Sequence, residues 1–225
     1  MREIVLDTET TGLDPLGGDR IVEIGCVELV NHVASGKFFQ SYINPERDMP
    51  EGAFRIHGLS TQFLADKPVF AAVADKFLTF VAEDRLVIHN AGFDLGFLNA
   101  ELEKMGKPIF LPVRAIDTVS LARRKYPGAP ASLDALCRRF EIDNSARTKH
   151  GALLDAELLA EVYLELMGGR QAVLALPTGP ARQPGGEGEV YNNGAKAPRP
   201  HEPSAEEKAA HAAFIATLND PIWNG

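Results

Sequence analysis

Two cysteines in 225 residues, a single tryptophan and no apolar run of bilayer length put several architectures out of reach. Cys26 and Cys137 are far apart, each within an apolar pattern, so two buried thiols in a reducing compartment are expected and a disulfide framework is not. A membrane-spanning helix needs about 20 mostly apolar residues, and no stretch approaches that. The opening Met1-Arg2-Glu3, followed by a short apolar run broken at Asp7, does not have the form of a secretory leader. A cytoplasmic protein without membrane attachment is expected. Positive charge is also scarce: 23 Lys and Arg against 31 Asp and Glu leave a formal net charge of −8. Taken alone, that argues against a nucleic-acid partner. Its distribution weakens the argument, because Arg114, Arg123, Arg124, Lys125, Arg138, Arg139, Arg147 and Lys149 cluster in one segment with only four acids.

What remains, 45% hydrophobic and 24% charged, is ordinary for a soluble domain with one core and residues to spare. Glu3–Leu6, Ile21–Val30 and Lys37–Ile43 read as strands joined by turn-rich links, an antiparallel meander. The period then changes. Pro68 suits a first helical residue, with Phe70, Val73, Phe77, Phe80 and Val81 following at helical spacing. Leu86–His89 reads as a strand leading into a helix over Phe93–Met105 that Gly106 closes, and Val113–Ile116 as another strand. Ser132 can cap a helix carrying Leu133, Leu136, Cys137 and Phe140, and Leu153–Met167 is helical up to Gly168-Gly169. Such alternation predicts an α/β domain with a mixed sheet. From Pro177 to Pro203 the chain is rich in Pro and Gly and reads as a flexible linker. Ser204-Ala205-Glu206-Glu207 then matches a capping box and opens a short helix with Phe214, Ile215 and Leu218, ahead of Trp223.

Asp7 and Glu9 come directly after the first apolar run. Residues two apart in an extended chain share a face, so both carboxylates converge where that strand ends. Two such charges 4 Å apart repel by roughly 4 kcal/mol at an effective dielectric near 20, which calls for protonation or a cation. A lone Asp-x-Glu can equally be a polar surface turn. Asp94, after the strand Leu86–His89, stands at a strand-to-helix junction, where open α/β sheets place their sites; it can equally be a dipole-favoured residue of a first helical turn. His150 and Asp155 are five apart, about 140° around a helix, so they cannot share a helical face. They can meet only if His150 lies in the loop before the helix and Asp155 faces inward from its opening turns, an arrangement Gly151 makes easy.

The blocks VLDTETTGL, IVEIG, HNAGFDLGFL and HGALLDAELLAEVY, in that order, resemble the three motifs of the DEDDh superfamily of 3′→5′ exonucleases. The stretch SLDALCRRFEIDNSARTKHGALLDAELLAEVYL is similar to the branch that proofreads for bacterial replicative DNA polymerases. The resemblance covers residues 1–170. It implies a ribonuclease H-like α/β fold, with a mixed five-stranded sheet of one antiparallel three-strand meander plus two parallel strands, flanked by helices. It also implies that Asp7, Glu9, Asp94 and Asp155 bind two divalent ions, Mg²⁺ or Mn²⁺, with Asp7 touching both. Such a pair, about 4 Å apart, clamps the attacking and leaving oxygens of an in-line displacement. His150 is implied as the general base, a role suited to an imidazole, which ordinarily titrates near 6.5. Gly12, Leu13, His57 and Phe93 are implied around the terminal nucleotide, with Phe93 stacking on any base. His89 and Asn90 are expected to orient the loop that presents Asp94.

Single-stranded or frayed 3′ ends are the implied substrate, since a mismatched end frays at lower cost. Residues 171–176, with Gln171, Leu174 and Leu176, resemble a sliding-clamp-binding pattern. Residues 204–225 correspond to a segment that binds the polymerase α subunit, and a small accessory subunit on the catalytic domain is a further implied partner. Two rivals stand beside this reading. One is a free-standing exonuclease or exoribonuclease of the superfamily, for which the tether has no evident use. The other is a non-catalytic bridge between polymerase and clamp, for which the retained carboxylates have none.

Overall fold

The computed structural model describes residues 1–145, 147, 149–169 and 202–217. The segment Gln171–Leu176, nearly all of the linker, Leu218 and Trp223 lie outside the described residues. The chain divides into two units, Met1–Leu174 and Ala175–Gly225.

The first unit is built on strands β1 (Arg2–Thr10), β2 (Ile21–Val30), β3 (Val33–Tyr42), β4 (Arg85–Ile88) and β5 (Ala115–Asp117). They lie in the order β3-β2-β1-β4-β5. The pairs β1–β2 and β2–β3 are antiparallel, whereas β1–β4 and β4–β5 are parallel. This is the expected mixed sheet. Its helices are α1 (Glu51–His57), α2 (Thr61–Leu64), α3 (Phe70–Val81), α4 (Ala91–Lys104), α5 (Thr118–Lys125), α6 (Leu133–Phe140) and α7 (Ala152–Leu166).

The two-residue period of β1 sorts its side chains between two cores. Ile4 and Leu6 pack with Phe70 and Phe77 of α3 and with Leu98 and Leu102 of α4. Val5 faces the other way, into Leu136 of α6 and Leu159, Val162 and Tyr163 of α7. Asp7 and Glu9 continue the second series, so the strand that buries Val5 under α7 also aims both carboxylates towards the start of that helix.

Several expected boundaries move. Strand β1 runs on to Thr10, so Asp7 and Glu9 lie within it and not past its end; pairing with β2 holds both in the ladder up to a register shift at Glu9/Thr10. Strand β3 begins at Val33, because Asn31 and His32 adopt the left-handed conformation that a two-residue hairpin turn requires. Helix α3 starts at Phe70 with Val69 as its extended cap residue, while the Pro68 carbonyl accepts from Asn44. In place of a strand from Val113, Pro112–Arg114 forms one turn of 3-10 helix. Pro112 opens that turn, having no N–H to give a sheet, and the Arg114 guanidinium bonds the Val81 carbonyl at the end of α3 and the Asp84 carbonyl beyond it. Both cysteines are buried and unpaired, as expected.

The second unit contains α8 (Ala205–Ile215), which opens on the complete capping box expected from Ser204 and Glu207. Phe214 is exposed on it. Among the described residues, no helix is long and apolar enough to cross a membrane.

Candidate active site

A cavity of about 730 Å³ opens at the carboxyl end of β1 and β4. All nine residues expected at the site line it: Asp7, Glu9, Gly12, Leu13, His57, Phe93, Asp94, His150 and Asp155. They arrive from six places along the chain, and each has a local reason for its position.

Asp94 sits in the first turn of α4, whose cap residue Asn90 takes a left-handed conformation (φ 69°) to turn the chain from β4 into the helix. The turn is held from β5: the Asp117 carboxylate accepts from the Asn90 amide, and His89 Nδ1 lies 2.9 Å from Thr118 Oγ1. This is the orienting part expected of His89 and Asn90. Asp94 is buried and accepts two hydrogen bonds from Thr8, from its amide at 3.0 Å and its hydroxyl at 2.8 Å. Burial nonetheless raises its pKa to about 7.

Glu9 is buried, and its pKa is pushed up to about 8, first by desolvation and then by Asp155 and Glu23. Asp7 is partly open to the cavity, and it too is held well above the carboxylate range by desolvation, with Asp94, Glu9 and Asp155 adding to the effect. A cluster of acids that raise one another's pKa is short of positive charge.

Asp155 stands on the opening turn of α7 and is buried, while His150 is exposed in the loop before Gly151. They meet as the spacing required, with His150 Nδ1 3.5 Å from Asp155 Oδ2. Ligand atoms of Glu9, His150 and Asp155 lie within 4.8 Å of one another. The His150 loop is fastened across the cavity by its amide, which donates to the Ile56 carbonyl of α1.

Helix α1, absent from the sequence reading, carries His57 to the cavity wall. His57 is buried; its Nδ1 accepts from Leu59 N–H, which leaves Nε2 as the donor. That Nε2 has no partner among the described residues. Leu13 is 83% exposed, and Phe93 rests against Phe97 with ring centroids 5.0 Å apart. At Gly12 a side chain would collide with the Asp19 carboxylate, a packing reason for glycine independent of any ligand.

Two residues that sequence reasoning missed complete the site. Arg147 grips Asp155 through Nε and Nη2, reaches Asp134 with Nη1 at 2.8 Å, and has Nη2 2.9 Å from His150 Nδ1. Its signal was position alone, three residues before His150 in a basic segment. Glu23 is a fifth carboxylate, buried on β2 opposite Glu9. It lay inside IVEIG, where alternation marks a strand but does not say what the face touches.

The donor set suits a hard divalent cation: three buried carboxylates and one partly open to the cavity, crowded enough to favour a counter-charge. The exonuclease family RNase_T matches residues 4–163. The DNA polymerase III subunit epsilon of Rickettsia felis is 49% identical over 222 residues, spanning 97% of each chain. That of Escherichia coli K12 is 44% identical over 223 residues, covering 95% of this chain and 92% of the relative. Among solved structures, Exonuclease X in complex with 5′ overhanging duplex DNA superposes with a TM-score of 0.58 at 27% identity, over 73% of this chain and 90% of that one. The nuclease domain of 3'hExo, a DEDDh family member bound to rAMP, shares the fold at 18% identity with a TM-score of 0.63, over 74% of this chain and 91% of that one. With the family match spanning its sheet and its cavity alike, the chain belongs to the RNase_T exonuclease family, in the branch of the bacterial DNA polymerase III epsilon subunits.

Proposed function

We propose that this chain is the proofreading 3′→5′ exonuclease subunit of a replicative DNA polymerase, removing nucleoside 5′-monophosphates from single-stranded or frayed 3′ ends. The observation that carries this is the convergence of Asp7, Glu9, Asp94 and Asp155 with His150 around one cavity.

The four carboxylates are the ligands of two divalent ions, Mg²⁺ or Mn²⁺. When bound, the ions supply Lewis-acid stabilisation of the attacking and leaving oxygens. Everything else falls to the protein. Asp7 and Glu9, on one face of β1, face Asp155 across the cavity, while Thr8 fixes Asp94 from the strand between them. Asp155, which would hold an ion, is bonded through both oxygens to Arg147, and Asp134 binds the same guanidinium. His150, exposed beside Asp155, takes the proton of the attacking water at an imidazole nitrogen. Leu13 and Phe93 offer apolar surface to the terminal base, and His57 Nε2–H is a donor waiting at the cavity wall. None of these groups reads a base edge, so selectivity comes from the lower cost of fraying a mismatched end.

Partners follow from the same reading. Residues 204–225 bind the polymerase α subunit, and the exposed Phe214 on α8 gives that segment an apolar contact. Gln171, Leu174 and Leu176 bind the sliding clamp, and a small accessory subunit sits on the catalytic domain. The residue 1–170 domain, the 171–176 motif, the 177–203 linker and the 204–225 segment are then separate working parts of a cytoplasmic assembly.

The test is degradation of 3′-labelled DNA by the purified protein with Mg²⁺. Single strands and mismatched termini should be shortened faster than paired termini, with EDTA stopping the reaction. Persistence in EDTA, or equal rates on matched and mismatched ends, overturns the reading. Deleting 204–225 should spare the nuclease and abolish co-purification with the polymerase subunit.

A further inference from the structure

We propose that Glu23 and Gly25 form a seat for the first turn of α7, with Glu23 the positioning residue that sets Asp155 and His150 against Asp7 and Glu9. The inference rests on the roles given to Asp155 and His150 above, and on strand register that is independent of those roles.

A helix begins with N–H groups that have no partner within it. Helix α7 opens at Gly151, which has no side chain to cap them. The acceptor comes from elsewhere in the chain: Glu23 Oε2 on β2 takes the Ala152 N–H at 3.2 Å in a buried bond. The Leu153 amide adds to the stabilisation of the same carboxylate. The other oxygen is not idle, since Gln40 Nε2 of β3 donates to Oε1 at 2.8 Å. Glu23 is therefore tied on both sides while only 2% exposed.

Gly25 supplies the space. A Cβ built there would lie 2.2 Å from the Ala152 carbonyl carbon and 2.3 Å from the Leu153 nitrogen. Both are backbone atoms that cannot move aside, so only glycine lets the helix come this close to the strand.

Register ties the seat to the chemistry. Glu23 is the cross-strand partner of Glu9, and Gly25 that of Asp7. One strand pair thus presents two carboxylates from β1 and, directly alongside on β2, the two residues that locate the helix bearing a third. Asp155 is three residues beyond Ala152, and His150 two before it. A small slide of α7 would change the Glu9–Asp155 and Glu9–His150 separations together, and Glu23 is placed to prevent that slide.

The experiment compares Glu23→Ala, Glu23→Asp and Glu23→Gln in the full chain. Three measurements apply: Mn²⁺ binding by calorimetry, kcat and KM on a single-stranded oligonucleotide, and hydrogen exchange of the Ala152 and Leu153 amides. Groups that orient metal ligands typically matter by 10–100-fold, so Glu23→Ala should lose at least about tenfold in both Mn²⁺ affinity and kcat, with KM little changed. Its Ala152 and Leu153 amides should exchange faster. Glu23→Asp keeps the charge but is one methylene short of Ala152 N and should fail in the same way. Glu23→Gln keeps an acceptor oxygen and should recover most of the loss.

A Glu23→Asp protein with wild-type Mn²⁺ affinity, kcat and amide exchange overturns the seat, even if the alanine variant does not fold. A Glu23→Gln protein as impaired as Glu23→Asp also overturns it, because a retained acceptor oxygen at full reach should have restored the helix position. Asp155→Asn, run in parallel, separates the two layers. If that variant keeps wild-type Mn²⁺ affinity and kcat, the reading of the site has failed, whereas amide exchange in the Glu23 variants still decides the seat.

Discussion

The two ends of β1 handle buried acid in opposite ways. At the amino end, every buried carboxylate is answered. Glu3 accepts from Tyr163 Oη at 2.9 Å and lies 2.8 Å from His32 Nδ1. Glu28 pairs with Arg2, Ser35 and Lys37, and those bonds draw its pKa down to about 2. Four and six residues further along β1, Asp7 and Glu9 form no salt bridge among the described residues, and their pKa values rise. Composition does not distinguish the two ends, since both are acidic and largely buried. Partnering does. Buried charge that the protein itself satisfies is structure; buried charge left to repel its neighbours is held for something that arrives from outside.

The sharpest way to break this contrast is to remove one acid from each end. Asp7→Ala should lower exonuclease activity by about three orders of magnitude with the fold intact, as expected when charge aimed at a transition state is deleted. Glu3→Gln should leave the rate within about twofold, since it lies outside the reacting site. Equal losses in labelled-DNA assays would erase the distinction between the two ends. His150→Ala should cost roughly a hundredfold or more in the same assay, as expected for loss of a general base.

Stability against pH gives a second, smaller contrast. Glu9 and Asp94 have folded pKa values of about 8 and about 7, above their ordinary 4.5 and 3.8. The folded state therefore binds more protons than the unfolded chain between those limits, and stability falls as pH rises through them. In EDTA the melting temperature should drop between about pH 5 and about pH 8.5, and added Mg²⁺ should restore more of it at the alkaline end. A melting temperature that rises over that range contradicts the assignment. Glu28, held low, contributes in the opposite sense: its stabilisation is present above its ordinary 4.5 and is lost only as pH falls towards about 2.

The smallest effect belongs to Tyr163→Phe. Removing one buried hydroxyl from Glu3 should cost about 1 kcal/mol, read as a melting shift of roughly 2–4 °C. Activity should not change. A drop in kcat would mean that the two ends of the sheet are coupled through α7.

Much of the site was legible along the chain. Asp7 and Glu9 share a face because strand geometry has a period of two, and His150 had to precede the helix of Asp155 because 140° of helix separates them. Their meeting with Asp94 rested on family resemblance and not on spacing. Arg147 was not legible as part of the site: it counted as one charge among eight in a basic segment, yet it binds three site side chains. Helix α1 was missed because its buried residue is His57 alone, and one buried position makes no period.

What the sequence alone determined is whatever depends on neighbours along the chain: strand and helix periods, the capping box of α8, and the acids that end up together. Those features arise from backbone geometry and side-chain chemistry within a few residues. What only the tertiary structure decided is which of those acids are answered. Arg2 reaches Asp84, and Glu23 reaches Ala152 across 129 residues of sequence. Such pairings depend on strand register and helix docking, which sum over the whole core and leave no mark at either residue alone.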